Sequence, residues 1–193
     1  MIRLPADAPG DSPLRPFDQL LIPEAFHAQL VDHARRTLPE ECCGLLAGRI
    51  HRRQGIVTHL FPLTNALASP TAYQTDPRDL LQAFRMLRQL RCELLAFYHS
   101  HPRSPPCPSR RDLEQNTYGS SVVHIIVSLA GETPQIAAWY LFPDGYEAVP
   151  WHVVVTLTQS ASCPLGERIG AQPVRPAAPA STPSDAPSTP DSG

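Results

Sequence analysis

The chain has 193 residues, of which 16 are basic and 18 are acidic, so its formal net charge is −2 at pH 7. This length fits one domain with a substantial hydrophobic core and short extensions. A net charge this close to zero argues against nucleic acid or an anionic membrane surface as a partner. No apolar run reaches the ~18 residues that a membrane-spanning helix requires, so no membrane insertion is expected.

The number and spacing of the cysteines indicate a reducing compartment. There are five of them, an odd number without Cys-x-x-Cys spacing, and the first residues lack the basic and apolar pattern of a secretion signal. The adjacent Cys42 and Cys43 would point to opposite faces of a strand, as small buried thiols do. We therefore predict a cytoplasmic protein with free cysteines.

In the first third of the chain, the sequence pattern predicts an N-terminal extension, three strands and one helix. Residues 1–16 are rich in proline and are predicted to form a flexible N-terminal arm. Pro23 suits the opening of a helix that carries one apolar face. Glu41 lies at the start of the second of three predicted strands. The strands cover residues 17–22, 42–47 and 56–63, and the helix covers residues 23–37.

The middle of the chain predicts a second helix and an apolar strand. Asp76-Pro77 marks the helix start, because Asp is a favoured N-cap and Pro a favoured first residue. Apolar residues then recur at helical spacing. The predicted elements are a helix over residues 76–91, a strand over residues 94–99, a proline-rich loop over residues 102–108 and a short helix over residues 110–118.

The remaining chain predicts more strands and then a tail. The strands cover residues 121–129, 135–142 and 146–155, the last one after the turn signal Pro143-Asp144-Gly145. Residues 160–193 have no aromatic side chain and too little apolar surface to offset their ordering entropy, so we predict a disordered tail. Between arm and tail, over residues 17–157, the order of elements predicts an α/β (α+β-like) fold with one main sheet.

The pattern most specific for chemistry is His99-x-His101 followed by Ser109-x-x-Asp112. Residues i and i+2 of a strand share a face, so both imidazoles would emerge together where the strand over residues 94–99 ends. Two imidazoles and a carboxylate are a common catalytic zinc set with an open fourth position. Ser109 and Asp112 also fit a helix start, with Ser as the N-cap. The two interpretations are compatible, since a capped helix would hold Asp112 rigidly.

These residues, together with Glu41 in Glu40-Glu41-Cys42-Cys43-Gly44, resemble the JAMM (MPN-plus, Mov34) metalloprotease family, in particular its compact single-domain bacterial members. The resemblance implies a single JAMM/MPN-type domain with a central mixed sheet flanked by helices. It further implies one zinc ion (Zn²⁺) per protomer, with Glu41 as the general base and Ser109 stabilising the oxyanion. The zinc ligands that it implies are His99, His101 and Asp112.

Two acidic residues compete for the role of base, and Glu41 by itself could equally be a solvated acid after a helix. The family pattern selects Glu41 over Glu40. Ser100, between the two histidines, should point to the opposite face and be structural. Asn65 matches an asparagine that is common in the bacterial members.

Several functions remain open at this point. The first is a zinc peptidase or isopeptidase that cuts after the C-terminal Gly-Gly of a ubiquitin-like or sulfur-carrier protein; the alternatives are a non-catalytic binding module of the same fold and a broader zinc peptidase. A zinc deaminase is excluded, because His101 stands where H-x-E requires Glu, and Pro106-Cys107 lacks the second cysteine of P-C-x-x-C. No His-Glu-x-x-His string occurs, so a zincin is also excluded.

Overall fold

The computed structural model describes residues 15–155. The predicted tail and all but the last two residues of the predicted arm lie outside the described residues. No helix in this range is long and apolar enough to cross a membrane. The strands are β1 (Gln19–Pro23), β2 (Cys43–His51), β3 (Gln54–Leu63), β4 (Glu93–His101), β5 (Val123–Ser128), β6 (Gln135–Phe142), β7 (Gly145–Ala148) and β8 (Trp151–Val154), and the helices are α1 (Glu24–Arg36), α2 (Pro77–Leu90) and α3 (Arg110–Glu114).

The eight strands form one mixed sheet in the order β7-β6-β5-β4-β2-β3-β1-β8. β4 pairs antiparallel with β2 and parallel with β5, so it lies in the interior of the sheet. β1 runs parallel to both of its neighbours, β3 and β8, and the remaining pairs are antiparallel. The predicted central mixed sheet with flanking helices is confirmed.

Helices cover both faces of the sheet, and each face has its own hydrophobic core. One core joins α1 to the sheet through Leu30 and Tyr98, and the other joins α2 to it through Ala83 and Phe97. Phe97 and Tyr98 are neighbours on β4, and successive strand residues point to opposite faces. The helices α1 and α2 therefore lie on opposite sides of the sheet.

The start of β2 shows the same alternation. Cys42 belongs to the core beneath α1 and Cys43 to the core beneath α2, and both are buried and free, as predicted. At Gly44, a Cβ atom would overlap the carbonyl oxygen of Phe61 and the ring of Tyr98. Only glycine permits this close packing, which fixes the position of the chain just after the predicted base.

The start of α2 is set by the capping residues predicted from the sequence. The Asp76 side chain accepts hydrogen bonds from the backbone N–H groups of Arg78 (2.8 Å) and Asp79 (3.1 Å), and Pro77 is the first helical residue. The helix ends at Arg91, which adopts a left-handed conformation with φ of 52°. The predicted bounds of this helix are confirmed to within one residue at each end.

The single strand predicted over residues 146–155 is wrong. The segment forms two short strands, of which β7 pairs with β6 and β8 with β1. Pro150 between them has no N–H group for a ladder, and its carbonyl oxygen accepts a hydrogen bond from Leu20 N (2.9 Å). Because a connection of only two residues joins the outermost strands, the sheet curls until its two edges are close together.

The helix predicted over residues 110–118 ends earlier, at Glu114. The Asn116 side chain donates to the carbonyl oxygens of Gly119 (3.2 Å) and Leu141 (3.4 Å). Such side-chain bonds compete with helical ones. Gly119 then has φ of 59° and begins a short 3₁₀ turn, so the chain leaves the helical path before the next strand.

Candidate active site

Two histidines and one aspartate converge at the end of β4. His99 and His101 are two residues apart on this strand, so their rings share the face that α2 covers. His99 Nε2 lies 3.3 Å from Asp112 Oδ1, His101 Nε2 lies 3.8 Å from Asp112 Oδ2, and the two Nε2 atoms are 3.1 Å apart. The structure thus brings together the three residues predicted from the sequence as metal ligands.

These separations fit a single zinc ion. Ligand atoms at about 2.0–2.1 Å from a tetrahedral zinc ion are about 3.3–3.4 Å from one another. The observed distances of 3.1, 3.3 and 3.8 Å lie on both sides of that value, the last two being to different oxygens of the Asp112 carboxylate. Within residues 15–155, no other group of three His, Cys, Asp or Glu side chains converges in this way. The donor set therefore suits one metal ion with three protein ligands and an open fourth position.

Contacts with the neighbouring loops orient both rings. His101 Nδ1 is 2.8 Å from the carbonyl oxygen of Pro105. Because a carbonyl oxygen only accepts, Nδ1 carries the proton and Nε2 presents its lone pair to the cluster. His99 is 1% exposed, and the Tyr73 ring stacks on it with 4.6 Å between centroids. A hydrogen bond orients one ring, and stacking orients the other.

Burial and charge set the protonation of the cluster. Burial lowers the pKa of His99, so this ring is neutral at neutral pH. Burial also acts to lower the pKa of His101, but the nearby Asp112 carboxylate and the hydrogen bond to the Pro105 carbonyl oxygen outweigh it and raise this pKa. Burial opposes ionisation of Asp112, yet the two histidine rings beside it hold its pKa well below the usual range. A metal ion would therefore compete mainly with the proton on His101.

Glu41 reaches the same site through the pairing of β2 with β4. Cys43 pairs with His99 in this antiparallel ladder, and the same register, continued by two residues, sets Glu41 opposite His101. Residues directly opposite share a face, with Cβ atoms about 5 Å apart. Glu41 is 6% exposed and lines the same cavity as His101 and Asp112.

The backbone around Glu41 is fixed on both sides. Glu41 N donates to the carbonyl oxygen of Ser69 (2.9 Å), and Asn65 Nδ2 donates to the carbonyl oxygen of Glu41 (3.0 Å). The Ser100 hydroxyl accepts from Cys42 N (2.8 Å), so Ser100 has the structural role predicted for it. These bonds fix the backbone from which the Glu41 side chain extends into the cavity.

Burial raises the pKa of Glu41 to about 7; the charge of Asp112 acts in the same direction, while His101 and Arg111 act in the other. A carboxyl group whose pKa lies near the working pH can both accept and return a proton. The competing residue Glu40 is only half-buried and does not line the cavity. Its position does not suit the role of base.

Two cavities flank the cluster. The smaller has a volume of about 180 Å³ and contains Glu41. The larger has a volume of about 390 Å³ and an uncharged, partly aromatic lining, and it meets the smaller one at Tyr73 and Gln115, which line both. His124 in the larger cavity is 6% exposed, and neither of its ring nitrogens has a hydrogen-bond partner among the described residues. Burial lowers the pKa of His124 to about 4, so this ring is neutral.

The sequence matches the family described as prokaryotic homologs of the JAB domain over residues 23–142, more than half of the chain. The chain belongs to this family. The predicted resemblance to compact bacterial JAMM-type proteins is thereby confirmed, and the mixed sheet described above is the fold of this JAB-domain protein.

Several relatives of this JAB-domain protein are known. A Thermus thermophilus protein named as a probable TtuB-protein conjugate cleaving protease is 36% identical over 129 residues, which are 66% of this chain and 79% of the relative. The CysO-cysteine peptidase of Mycobacterium tuberculosis is 38% identical over 88 residues, which are 46% of this chain and 59% of the relative. A Desulfitobacterium hafniense protein of known solution structure has a TM-score of 0.67 at 30% identity, covering 74% of this chain and 97% of that one. The names of the first two indicate peptidase or isopeptidase activity in the family.

Two groups that orient the histidines of this JAB-domain protein were not predicted. Tyr73 is the only aromatic residue of the loop over residues 64–75, and this isolated aromatic is the signal that could have identified it. Pro105 contributes only its backbone carbonyl, which no side-chain pattern reveals. Both contacts depend on how the loops fold back over β4.

Ser109 is the N-cap of α3, which confirms the helix start predicted there. Its hydroxyl oxygen accepts from Asp112 N (3.2 Å), while its backbone N–H donates to Asp112 Oδ2 (2.7 Å), so the two residues form a capping box. In this arrangement the hydroxyl oxygen is an acceptor, and its own proton remains available for a further bond. Ser109 also lines the cavity that contains Glu41.

The role of oxyanion donor that the family resemblance implies for Ser109 predicts that Ser109→Ala lowers kcat about 10²–10³-fold, the usual cost of removing one such donor. It should also lower the free energy of unfolding by about 1 kcal/mol, because the cap is lost. Ser109→Thr keeps both the hydroxyl and the cap and should restore most of both quantities. Steady-state kinetics and denaturant unfolding of the two variants measure these effects. A Ser109→Ala variant that is destabilised but fully active would limit Ser109 to its structural role.

Proposed function

We propose that this protein is a zinc peptidase that hydrolyses the amide bond after the C-terminal glycine of a ubiquitin-like or sulfur-carrier protein. The observation that carries the proposal is the convergence of three metal-ligand side chains beside the buried carboxyl group of Glu41. Relatives whose names describe the cleavage of TtuB conjugates and of CysO–cysteine support the substrate class.

The proposed metal is zinc, one ion per protomer, with His99, His101 and Asp112 as its ligands. Two imidazoles and one carboxylate with an open fourth position are a common catalytic zinc set. When bound, the ion would supply Lewis acidity to the scissile carbonyl group and to water. The His101 tautomer set by Pro105 supports this assignment, because it leaves Nε2 free to bind the metal.

Glu41 is the proposed general base, and Ser109 is the proposed oxyanion donor. The Glu41 carboxylate accepts a proton from the attacking water and returns it to the amine nitrogen as the carbon–nitrogen bond breaks. The Ser109 hydroxyl donates a hydrogen bond to the carbonyl oxygen as negative charge develops on it. The products are the free carboxylate of the carrier and the released amine.

The larger cavity is the proposed binding site for the extended C-terminal tail of the carrier. Its volume of about 390 Å³ and its uncharged, partly aromatic lining suit a peptide segment. The tail would pass Tyr73 and Gln115 to reach the cluster. The Tyr73 ring stacks directly on His99 and lines both cavities, so the tail has to pass this ring to reach the cluster. We therefore expect residues without a side chain to be preferred beside the scissile bond.

The test uses TtuB and CysO as carriers, each joined through its last residue to an amino acid. Adducts whose carrier ends in Gly-Gly should be cleaved at least about tenfold faster than those ending in Ala-Ala, a difference of about 1.4 kcal/mol in transition-state stabilisation. Intact-mass spectrometry follows the reaction, and unfolded casein serves as a control that should be cut poorly. Equal rates for both endings, or a preference for casein, would favour a broader peptidase. Binding without cleavage would favour the non-catalytic module.

A further inference from the structure

Two arginines without an acidic partner line the small cavity that contains Glu41. They are Arg103, in the loop after β4, and Arg111, in α3. Among residues 15–155, neither guanidinium group has a carboxylate within ion-pair distance. The adjacent Arg110 differs, because its Nε donates to Glu114 Oε1 at 2.7 Å and it does not line the cavity. The two arginines of the cavity are therefore available to an anionic ligand.

The proton path determines which part of the substrate occupies this cavity. If Glu41 returns its proton to the leaving amine, the amine nitrogen must lie within hydrogen-bond reach of the Glu41 carboxyl group. The leaving group then lies on the Glu41 side of the cluster, in the same cavity as Arg103 and Arg111. The larger cavity, which has no charged lining residue, remains for the carrier tail.

We propose that Arg103 and Arg111 bind the α-carboxylate of a free amino acid that is the leaving group, so that the preferred substrate is a carrier–amino-acid adduct rather than a carrier–protein isopeptide. This inference rests on the proposed function and deepens it. In such an adduct, the α-carboxylate is attached to the carbon next to the scissile nitrogen, and it follows that nitrogen into the cavity. A lysine within a protein offers an uncharged methylene chain at the same place, and its carboxyl group forms a peptide bond.

The size of the cavity agrees with a small leaving group. Its volume of about 180 Å³ is less than half of the 390 Å³ of the neighbouring cavity. The reaction is a balanced hydrolysis: water forms a bond to the glycine carbonyl carbon, the carbon–nitrogen bond breaks, and the water proton reaches the nitrogen through Glu41. The carrier ends as a carboxylate and the amino acid leaves as its amine, with its carboxylate still bound by the arginines.

The experiment compares three leaving groups on the same Gly-Gly carrier. TtuB or CysO is joined to L-alanine, to L-alanine amide, or to the side chain of acetyl-lysine amide, and kcat/KM is measured by intact mass. The zinc-loaded wild type should cleave the alanine adduct about tenfold faster than either of the others, as expected for two solvent-exposed ion pairs. We call the kcat/KM of the alanine adduct divided by that of the alanine amide adduct the acid-to-amide ratio. This ratio should fall when the salt concentration is raised from about 0.05 M to about 0.5 M.

The variants separate charge recognition from a structural effect. In Arg103→Gln/Arg111→Gln, the acid-to-amide ratio should fall close to one, and in Arg103→Lys/Arg111→Lys it should be partly restored. Arg110→Gln is the matched control, and its ratio should equal that of the wild type. If Arg111 acted only by changing the pKa of Glu41, its substitution would change the cleavage rates of all three adducts together and leave the acid-to-amide ratio unchanged.

Three results overturn the inference while leaving the proposed function in place. They are equal cleavage of the acid and the amide by the wild type, a lysine adduct cut as fast as the alanine adduct, and a ratio that survives in Arg103→Gln/Arg111→Gln. If the zinc-loaded wild type cleaves no adduct of either carrier, the proposed function is overturned and this inference with it.

Discussion

Glu41→Gln is expected to lower kcat by about 10²–10⁴, the contribution of a positioned general acid–base group. Glutamine has nearly the same shape as glutamate and fits the same buried position, but it cannot accept a proton from water. The protein should still bind about one zinc ion per protomer, because Glu41 is not one of the proposed ligands. Steady-state cleavage of a Gly-Gly carrier adduct and elemental analysis of the purified variant measure the two quantities.

Glu40→Gln is the matched control for this prediction. Glu40 precedes Glu41 in the chain but is half-buried and lies outside the cavity, so the same chemical change there should alter kcat by less than about threefold. Similar losses in both variants would show that the base is misassigned. Loss of zinc from Glu41→Gln would instead make Glu41 a ligand.

His101→Ala is expected to remove the metal and to lower activity by at least about 10³, since Lewis-acid stabilisation contributes several kcal/mol. The zinc content should fall from about one ion per protomer to nearly none, because only His99 and Asp112 remain as ligands. The fold should survive, since both hydrophobic cores are built from other residues. Elemental analysis, circular dichroism and the cleavage assay measure these outcomes.

Asp112→Ala should lose the metal as well, and it differs from His101→Ala in stability. It removes half of the capping box with Ser109, so the free energy of unfolding should fall by about 1 kcal/mol more. Cys107→Ser is the control, because Cys107 is close to the ligands in sequence but exposed and outside the cluster; it should keep the full zinc content. Full zinc in both His101→Ala and Asp112→Ala would assign the metal to other residues.

Elements with local start and stop signals could be predicted from the sequence. Asp76 and Pro77 cap α2 through bonds within one turn, and the predicted helix agrees with the observed one. The segment over residues 146–155 was predicted wrongly, because only its first half pairs with the preceding strand, β6. Its second half pairs with β1, near the other end of the described chain. α3 ends early because Asn116 bonds to Leu141 across the fold. Distant contacts of this kind leave no local pattern.

The candidate site also contains residues that local spacing reveals and one residue that only strand pairing places. His99, His101, Ser109 and Asp112 fall within one short stretch, so their spacing could be recognised directly. Glu41 lies far upstream, and its place in the site follows only from the pairing of β2 with β4. From the residues alone it was indistinguishable from a solvated acid, and its selection over Glu40 depended on the family pattern.

The sequence by itself determined which side chains are available to a metal ion and which of them share a face. The two-residue period of a strand turns His99 and His101 to the same side, and a helix start at Ser109 keeps Asp112 in the first turn. Only the tertiary structure decided their distances, the burial of Glu41, the Tyr73 stacking and the presence of Arg103 and Arg111 beside the cluster. These features arise where β2, β4, α3 and two loops meet, and contacts between segments distant in sequence are set by packing rather than by local pattern.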